Sequence, residues 1–323
     1  MKTSMIARIA EHLFWFGRYV ERTDSTARLL YVTRHLVLDA DLPPQDVWLP
    51  VLVATGEDEP FGQRFGIEAA ADGEAVERYL TWDENCWVSL VWSVRMAREN
   101  ARSTRSIVSL EIWQACNELY LWLEGPEARA AFDRGRHDFY RHLQRFTQLI
   151  FGLTQSTMLH DQALDLVWLG VLLERAGQVA RTLDVHHKAL TGGADPALAA
   201  VTWLAVLRAC SAFEPYSKRR PGQTTGPGVA EFLLFEADFP RGLRFALTEA
   251  RGALQRLCPP TPEGTAGAEA LAHLDQLCTW LDAQHAEADR LDRLHTLLTH
   301  VVDETAVLCQ QIAQALFGQA PRT

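Results

Sequence analysis

One motif occurs twice in the chain, and it constrains the fold more than any other feature of the sequence. The first copy begins at Trp15 and the second at Trp168, and the correspondence holds without a gap from residues 15–32 to residues 168–185. Both copies share the frame W-x-G-x-x-x-E-R-x-x-x-x-A-R-x-L at an offset of 153 residues. This period is far longer than that of a solenoid repeat, so it indicates duplication of a domain-sized unit.

The spacing of the motif is that of a helix with one functional face. At 100° per residue, Gly17, Glu21 and Arg28 fall within about 40° of one another. A glycine in a helix interior costs about 1 kcal/mol against alanine, so a repeated one indicates close approach of another backbone. The second copy repeats the arrangement with Gly170, Glu174 and Arg181.

The residues around both copies are apolar on nearly every side, which is typical of buried helices. Glu21 and Glu174 are therefore predicted to lie inside the molecule, where an unpaired charge is very costly. They should pair with arginines, within one copy or across the two. Two interpretations remain open: a structural ion-pair network that fixes how the halves dock, or a polar pocket for a ligand's carboxylate and amine. The arginine candidates for binding in the motif helices are Arg22, Arg28, Arg175 and Arg181.

Composition and charge limit the classes of partner. The net charge of −10 disfavours nucleic acid. The sequence has no uninterrupted apolar run of 18 residues and no signal-peptide pattern, so we expect neither a membrane span nor export. Six cysteines at irregular spacing, without a C-x-x-C pair, indicate reduced thiols in a cytoplasmic protein.

Helical periodicity dominates throughout, and no segment of any length shows a strand period. We therefore predict an all-α fold of two similar halves, residues 1–153 and 154–323, related by a pseudo-two-fold axis. The motif helices should cover about residues 4–38 and 161–190. Further predicted segments are a loop at 56–66 and helices at 86–104, 107–123, 127–152, 268–286 and 287–317.

Several stretches spread over the chain resemble the bacterial Alpha-E family of helical proteins, which is named for an E-R motif. They are residues 8–22, 97–102, 111–117, 231–234 and 239–241. The chain departs from the family pattern at three positions. Ala7 stands in place of a serine, Val171 in place of the arginine expected after Gly170, and Gly177 in place of a common acidic residue.

The resemblance implies that the protein accompanies circularly permuted ATP-grasp proteins and transglutaminase-like proteins. ATP-grasp enzymes join a carboxylate to an amine at the expense of ATP. The expected role is therefore in the synthesis or processing of a peptide-like product.

A second group of arginines follows one stripe of the helix predicted at 86–104. Arg98 and Arg102 are its candidate binding residues, because guanidinium groups suit carboxylates and phosphates. Two interpretations stay open here as well: a salt-bridged helix face, or an anion site beside the Glu21 helix.

No catalytic signature is present: there is no G-x-S-x-G, no Walker motif and no clear Cys/His dyad. We expect no metal or cofactor, since the single D-x-x-H at Asp292 and His295 lacks the second motif that a di-iron bundle needs. The favoured hypothesis is a helical accessory or binding subunit that works with an ATP-grasp partner. The alternative is an enzyme in which Glu21 or Glu174 acts as general base in acyl or amide transfer. Self-association is left open.

Overall fold

The computed structural model describes residues 7–39, 42–186, 196–222, 224–259, 267–287 and 289–318, and every regular element over these ranges is helical. The all-α prediction is confirmed. The α-helices are α1 (Ala7–Asp39), α2 (Pro44–Thr55), α3 (Asp58–Phe65), α4 (Gly73–Trp82), α5 (Leu90–Ser103), α6 (Leu110–Glu124), α7 (Pro126–Arg134), α8 (Arg136–Thr157), α9 (Gln162–His186), α10 (Pro196–Ala209), α11 (Phe213–Arg219), α12 (Gly226–Phe235), α13 (Leu243–Leu257), α14 (Ala268–Ala286) and α15 (Leu294–Phe317), with a 3-10 turn at Ile67–Ala71.

The two motif helices, α1 and α9, cross in the middle of the molecule and are buried on nearly every side. Helix α1 packs against α5 and α8, whereas α9 packs against α13, α15 and α2. Because both helices are enclosed, their apolar residues need no single face, which explains the apolar flanks of the motif.

The crossing depends on two glycines whose positions leave no room for a side chain. A Cβ added at Gly17 would lie 2.1 Å from the carbonyl oxygen of Val167, and one added at Gly170 would lie 2.1 Å from that of Phe14. Each glycine thus lets the backbone of the other helix approach, as the sequence predicted. This contact places Glu21 and Glu174 one turn further along their helices, close to the partner helix.

The helix predicted at 287–317 begins only at Leu294, after turn residues at 289–293. Glycine explains two further differences from the predicted segments. Residues 56–66 are not a loop: Gly56 ends α2 and Gly66 ends α3, both with positive φ, and the residues between them form a helix. Asp58 and Glu59 lie in the first turn of α3, where a carboxylate is favourable. The predicted helix at 127–152 is two helices, α7 and α8, which meet at the extended residue Gly135.

Equivalent elements keep the spacing of the motif. Helices α12 and α13 begin at Gly226 and Leu243, 153 residues after Gly73 and Leu90, where α4 and α5 begin. A pseudo-two-fold relation between complete halves stays a prediction. The predicted division between residues 153 and 154 falls in the last turn of α8, and one buried apolar cluster contains residues of both halves.

Candidate functional site

Glu21 is fully buried at the crossing and is bound by two arginines from the second half of the chain. Arg175 of α9 donates from Nε and Nη2 to its two carboxylate oxygens at 3.2 and 2.8 Å. Arg241, in the turn between α12 and α13, donates from Nη1 to Oε1 at 2.9 Å. Arg175 also donates to the carbonyl of Pro240 at 3.0 Å, so it holds the turn that carries Arg241.

Asp24, one turn further along α1, extends this cluster and is also fully buried. Arg28 and Arg241 donate to its carboxylate at 3.0 and 2.7 Å, and the contact with Arg28 is an i, i+4 pair within α1. Thr147 and Gln148 of α8 donate to Oδ1 at 2.7 and 3.1 Å. Asp24 therefore ties α1 to α8 and to the Arg241 turn at the same time.

Glu174 forms the reciprocal cluster with arginines of the first motif copy. Arg22 donates from Nε to Oε1 at 2.7 Å and from Nη2 to Oε2 at 3.0 Å, a two-pronged contact. Arg18 donates from Nε to Oε2 at 2.8 Å. Arg181, on α9 itself, donates from Nε to the carbonyl of Ala54 in α2 at 3.0 Å and not to Glu174.

The glutamate and arginine of the E-R motif thus pair across the two copies: Arg22 with Glu174, and Arg175 with Glu21. The sequence left pairing within a copy or across copies open, and the structure selects pairing across them. Each carboxylate then receives one further arginine, from Arg18 or Arg241.

Charge neighbours control the protonation of these carboxylates. Burial alone would raise the pKa of Glu174, but the Arg22 and Arg18 guanidiniums hold that pKa well below its usual range. Burial also opposes ionisation of Asp24, yet Arg241 and Arg28 hold its pKa well below the usual range. Both groups therefore stay ionised at neutral pH.

Two cavities open on the crossing, one beside each glutamate cluster. The smaller, of about 300 Å³, lies between α1, α9 and α15 and is lined by Arg18, Glu174 and Arg181 among others. The larger, of about 670 Å³, lies between α8, α9 and α13 and is lined by Arg175 and Arg241 among others. Both have sizes typical of small-molecule sites.

Each cavity has the motif tryptophan of one copy in its wall, Trp15 in the smaller and Trp168 in the larger. The indole nitrogen of Trp168 is buried and has no hydrogen-bond partner in the described part of the chain. Each cavity therefore has an apolar tryptophan surface in the same wall as the arginines of one cluster.

The structure does not bring Arg98 and Arg102 to the crossing. Both guanidiniums contact the carboxylate of Glu99 on α5 itself, and Arg98 also lies over the rings of Trp113 and Tyr120 in α6. Neither residue lines the two cavities. This arrangement is the salt-bridged helix face that the sequence left open.

Sequence reasoning did not select Arg18 and Arg241 as site residues. Arg18 lies inside the motif, but Val171 stands at the equivalent position of the second copy, so the repeat gave it no support. Arg241 lies in the 239–241 stretch that resembles the family, which was the one available signal.

The remaining chemistry of the described residues is limited. They contain no group of three or more His, Cys, Asp or Glu side chains placed to hold a metal ion. Cys309 lines the smaller cavity, and burial raises the pKa of its thiol despite the neighbouring Arg18. A raised pKa makes this thiol a poor nucleophile at neutral pH.

Among the helices of the described ranges, none is by itself long and apolar enough to cross a bilayer. One bent pair, Leu198–Ala209 with Phe213–Arg219, passes the same test by length and composition.

The paired E-R residues on a helical scaffold define a class of helical domain. The family model called Alpha-E, described as a predicted alpha-helical domain with a conserved ER motif, matches residues 5–317. The chain belongs to this family. Glu21–Arg22 and Glu174–Arg175 are the two E-R pairs of this sequence.

The chain is also similar to uncharacterized proteins of Mycobacterium bovis and Mycobacterium tuberculosis, at 28% identity over 296 residues in each case. The match covers 87% of this chain but only 33% of each relative, so the chain spans about a third of the length of these proteins. No solved structure matches the chain.

Proposed function

We propose that this protein is a helical binding subunit that works with an ATP-grasp ligase-like partner in making or processing a peptide-like product. The observation that carries the proposal is that each motif glutamate is paired with two arginines. Each carboxylate is buried and contacts two guanidiniums, so the motif holds the helices and the cavities between them in place.

The length of the relatives supports a function in company with other protein. In both mycobacterial proteins, two thirds of the polypeptide lies outside the part that is similar to this chain. The domain is thus joined to further polypeptide in these relatives, which supports the proposal that it works together with other protein. The identity of the partner as an ATP-grasp protein comes from the family resemblance alone.

The enzyme alternative depends on Glu21 or Glu174 as a general base. The low pKa of Glu174 argues against that role, because a carboxylate stabilised in its charged form is a weak base. The hydrogen bonds from Arg22 and Arg18 that both oxygens of Glu174 already accept also argue against a role as general base.

Co-expression with the circularly permuted ATP-grasp protein of the same organism tests the proposal. We expect the two to co-purify and to form a complex at micromolar concentrations in sedimentation velocity. The complex should persist in Glu174→Gln, provided that the variant remains folded, because the glutamate acts within the subunit. Absence of any complex at those concentrations would contradict the proposal, and turnover by this chain alone that is lost in Glu174→Gln would favour the enzyme alternative.

A further inference from the structure

The smaller cavity has an excess of positive charge that the protein does not neutralise locally. Arg18 and Arg181 line it together with Glu174, and Arg22 pairs with the same carboxylate. In the larger cavity, by contrast, Arg175 and Arg241 contact Glu21, and Arg241 also contacts Asp24. The excess is therefore a property of the Glu174 side of the crossing.

Glu174 is already paired with two arginines and makes no hydrogen bond to the third, Arg181. Its Oε1 accepts from Arg22 at 2.7 Å, and its Oε2 accepts from both Arg18 and Arg22. Burial, and after it the positive charges of Arg22 and Arg18, outweigh the attraction of Glu174 and lower the pKa of Arg181. Arg181 is thus a desolvated cation in a field of like charge, which an added anion would relieve.

The guanidinium of Arg181 is available to a ligand. Its Nε donates to Ala54, while its terminal nitrogens carry no hydrogen bond to a described residue. They lie over Gly177, where an added Cβ would be 3.3 Å from Nη1 and 3.5 Å from Nη2. Gly177 and Arg181 both line the cavity, so the terminal nitrogens are at its wall.

The other residues of the cavity wall indicate the chemistry of the ligand beyond its anionic end. Trp15 and Leu173 supply apolar surface, and Gln310 and Gln314 of α15 supply amide groups that can both donate and accept. A molecule that fits this lining has an anionic end, an amide and an apolar side chain.

We propose that the cavity between α1, α9 and α15 binds the carboxylate of a small, amide-containing, peptide-like molecule, with Arg18 and Arg181 as the residues that contact it. Because three arginines lie near the single carboxylate of Glu174, the site favours an anion over the ammonium group of a zwitterion. The peptide-like nature of the ligand in the cell rests on the proposed function, but the binding of the carboxylate itself does not.

Isothermal titration calorimetry of the full chain with N-acetyl-leucine tests the proposal. N-acetyl-leucinamide, which differs in lacking the negative charge, is the matched ligand control, and inorganic phosphate is the second anion. We expect N-acetyl-leucine to bind with a Kd of about 1 mM or below and the amide to bind at least about tenfold more weakly.

Two variants change the charge at the site, and one variant at the surface serves as the control. Arg181→Gln should weaken binding of N-acetyl-leucine by about tenfold to a hundredfold, the usual loss for a hydrogen bond to a charged group. Gly177→Asp places a carboxylate four residues before Arg181, so it should abolish binding and raise the melting temperature above that of Gly177→Ala. Arg244→Gln, at the surface pair with Asp282, should bind within about threefold of the original chain.

The proposal is overturned if N-acetyl-leucinamide binds as tightly as N-acetyl-leucine, or if Arg181→Gln leaves the affinity unchanged. Binding of phosphate without binding of N-acetyl-leucine overturns the assignment of a carboxylate. An equal loss of affinity in Gly177→Ala and Gly177→Asp, with binding kept in Arg181→Gln, would show that the volume of the added side chain and not its charge reduces binding. That result would also overturn the proposal. No partner is present in these titrations, so a negative result would not contradict complex formation with the ATP-grasp protein. Failure to form that complex would likewise not contradict binding of the carboxylate.

Discussion

At the scale of residues, the two motif glutamates reach the same coordination through different arginines. Glu174 is bound by Arg22 and by Arg18, which lies one turn earlier on the same helix. Val171 occupies the position on α9 that would supply the equivalent second arginine to Glu21. Arg241 takes that place from a turn outside the motif, and it reaches Asp24 as well. The two copies therefore form equivalent E-R pairs, but the second arginine on each glutamate comes from a different part of the chain.

Loss of the Glu174 charge should destabilise the protein strongly. Glu174→Gln keeps the shape of the side chain but leaves the partly buried Arg18 and Arg22 without a counter-charge. We expect the free energy of unfolding to fall by about 3 kcal/mol or more. Glu99→Gln is the matched control, because Glu99 also contacts two arginines but is partly exposed, and it should cost less than about 1 kcal/mol. Urea denaturation at pH 7 measures both, and equal losses would contradict a buried network.

The same carboxylates should make stability depend on acid pH. The folded-state pKa values of Asp24 and Glu174 lie below those of the unfolded chain, so their contribution is complete above the unfolded values, near pH 4 to 5. It is lost as the pH falls further toward the folded values. We expect the free energy of unfolding to decrease below about pH 5, and to decrease less steeply in Glu174→Gln. A variant with the same slope as the original chain would contradict this.

The sequence predicted which residues of the motif would be buried and charged, because the W-x-G-x-x-x-E-R spacing gives helix position directly. It did not predict whether pairing is within or across copies, since both fit the same angles. Arg241 could not be found by spacing at all, because it is 220 residues from Glu21 in the chain. Residues that meet only through tertiary packing leave no local period.

At the scale of elements, the crossing of α1 and α9 decides where everything else lies. Gly17 and Gly170 permit carbonyl oxygens of the opposite helix to approach to a distance that any Cβ would prevent. The approach in turn brings Arg22 and Arg175 within reach of the glutamate on the other helix. A small separation of the helices would therefore weaken both clusters together.

Gly17→Ala should lower the free energy of unfolding by about 1–3 kcal/mol or more, because its Cβ can only be accommodated by moving backbone. The matched control is Gly152→Ala in α8, where an added Cβ meets nothing within 4 Å. That substitution should stabilise the protein by up to about 1 kcal/mol through helix propensity. Thermal and urea denaturation of the two variants distinguish them, and a neutral Gly17→Ala would contradict the close contact.

Helix positions were predictable where periodicity was unbroken, as for residues 268–286, which match α14. They were not predictable where glycine was taken as a sign of loop. Gly56 and Gly66 end helices in the structure, and the eight residues of α3 are too short to show a period of their own. Gly135 interrupts what reads as one helix, because an extended glycine changes the chain direction without altering the apolar pattern on either side.

At the scale of the whole molecule, the two halves share one interior. The main buried cluster includes residues of both halves, from Ala10 to Phe317. Each motif glutamate takes its arginines from the other half, so neither charge cluster is complete within residues 1–157 or 158–323. The repeat in the sequence is therefore no evidence that each half is an independent folding unit.

Separation of the chain after Thr157, at the end of α8, tests this view. Expressed alone, residues 1–157 would expose the face of α1 that crosses α9 and would leave Glu21 without Arg175 and Arg241. We expect neither half alone to show a cooperative thermal transition by circular dichroism, whereas co-expressed halves should associate and recover one.

Gly170→Ala in the second half should prevent that recovery, and Gly152→Ala in the first should not. A cooperative transition in either isolated half, at the temperature of the intact chain, would contradict a shared interior, because the unpaired carboxylate and the exposed face would then cost nothing.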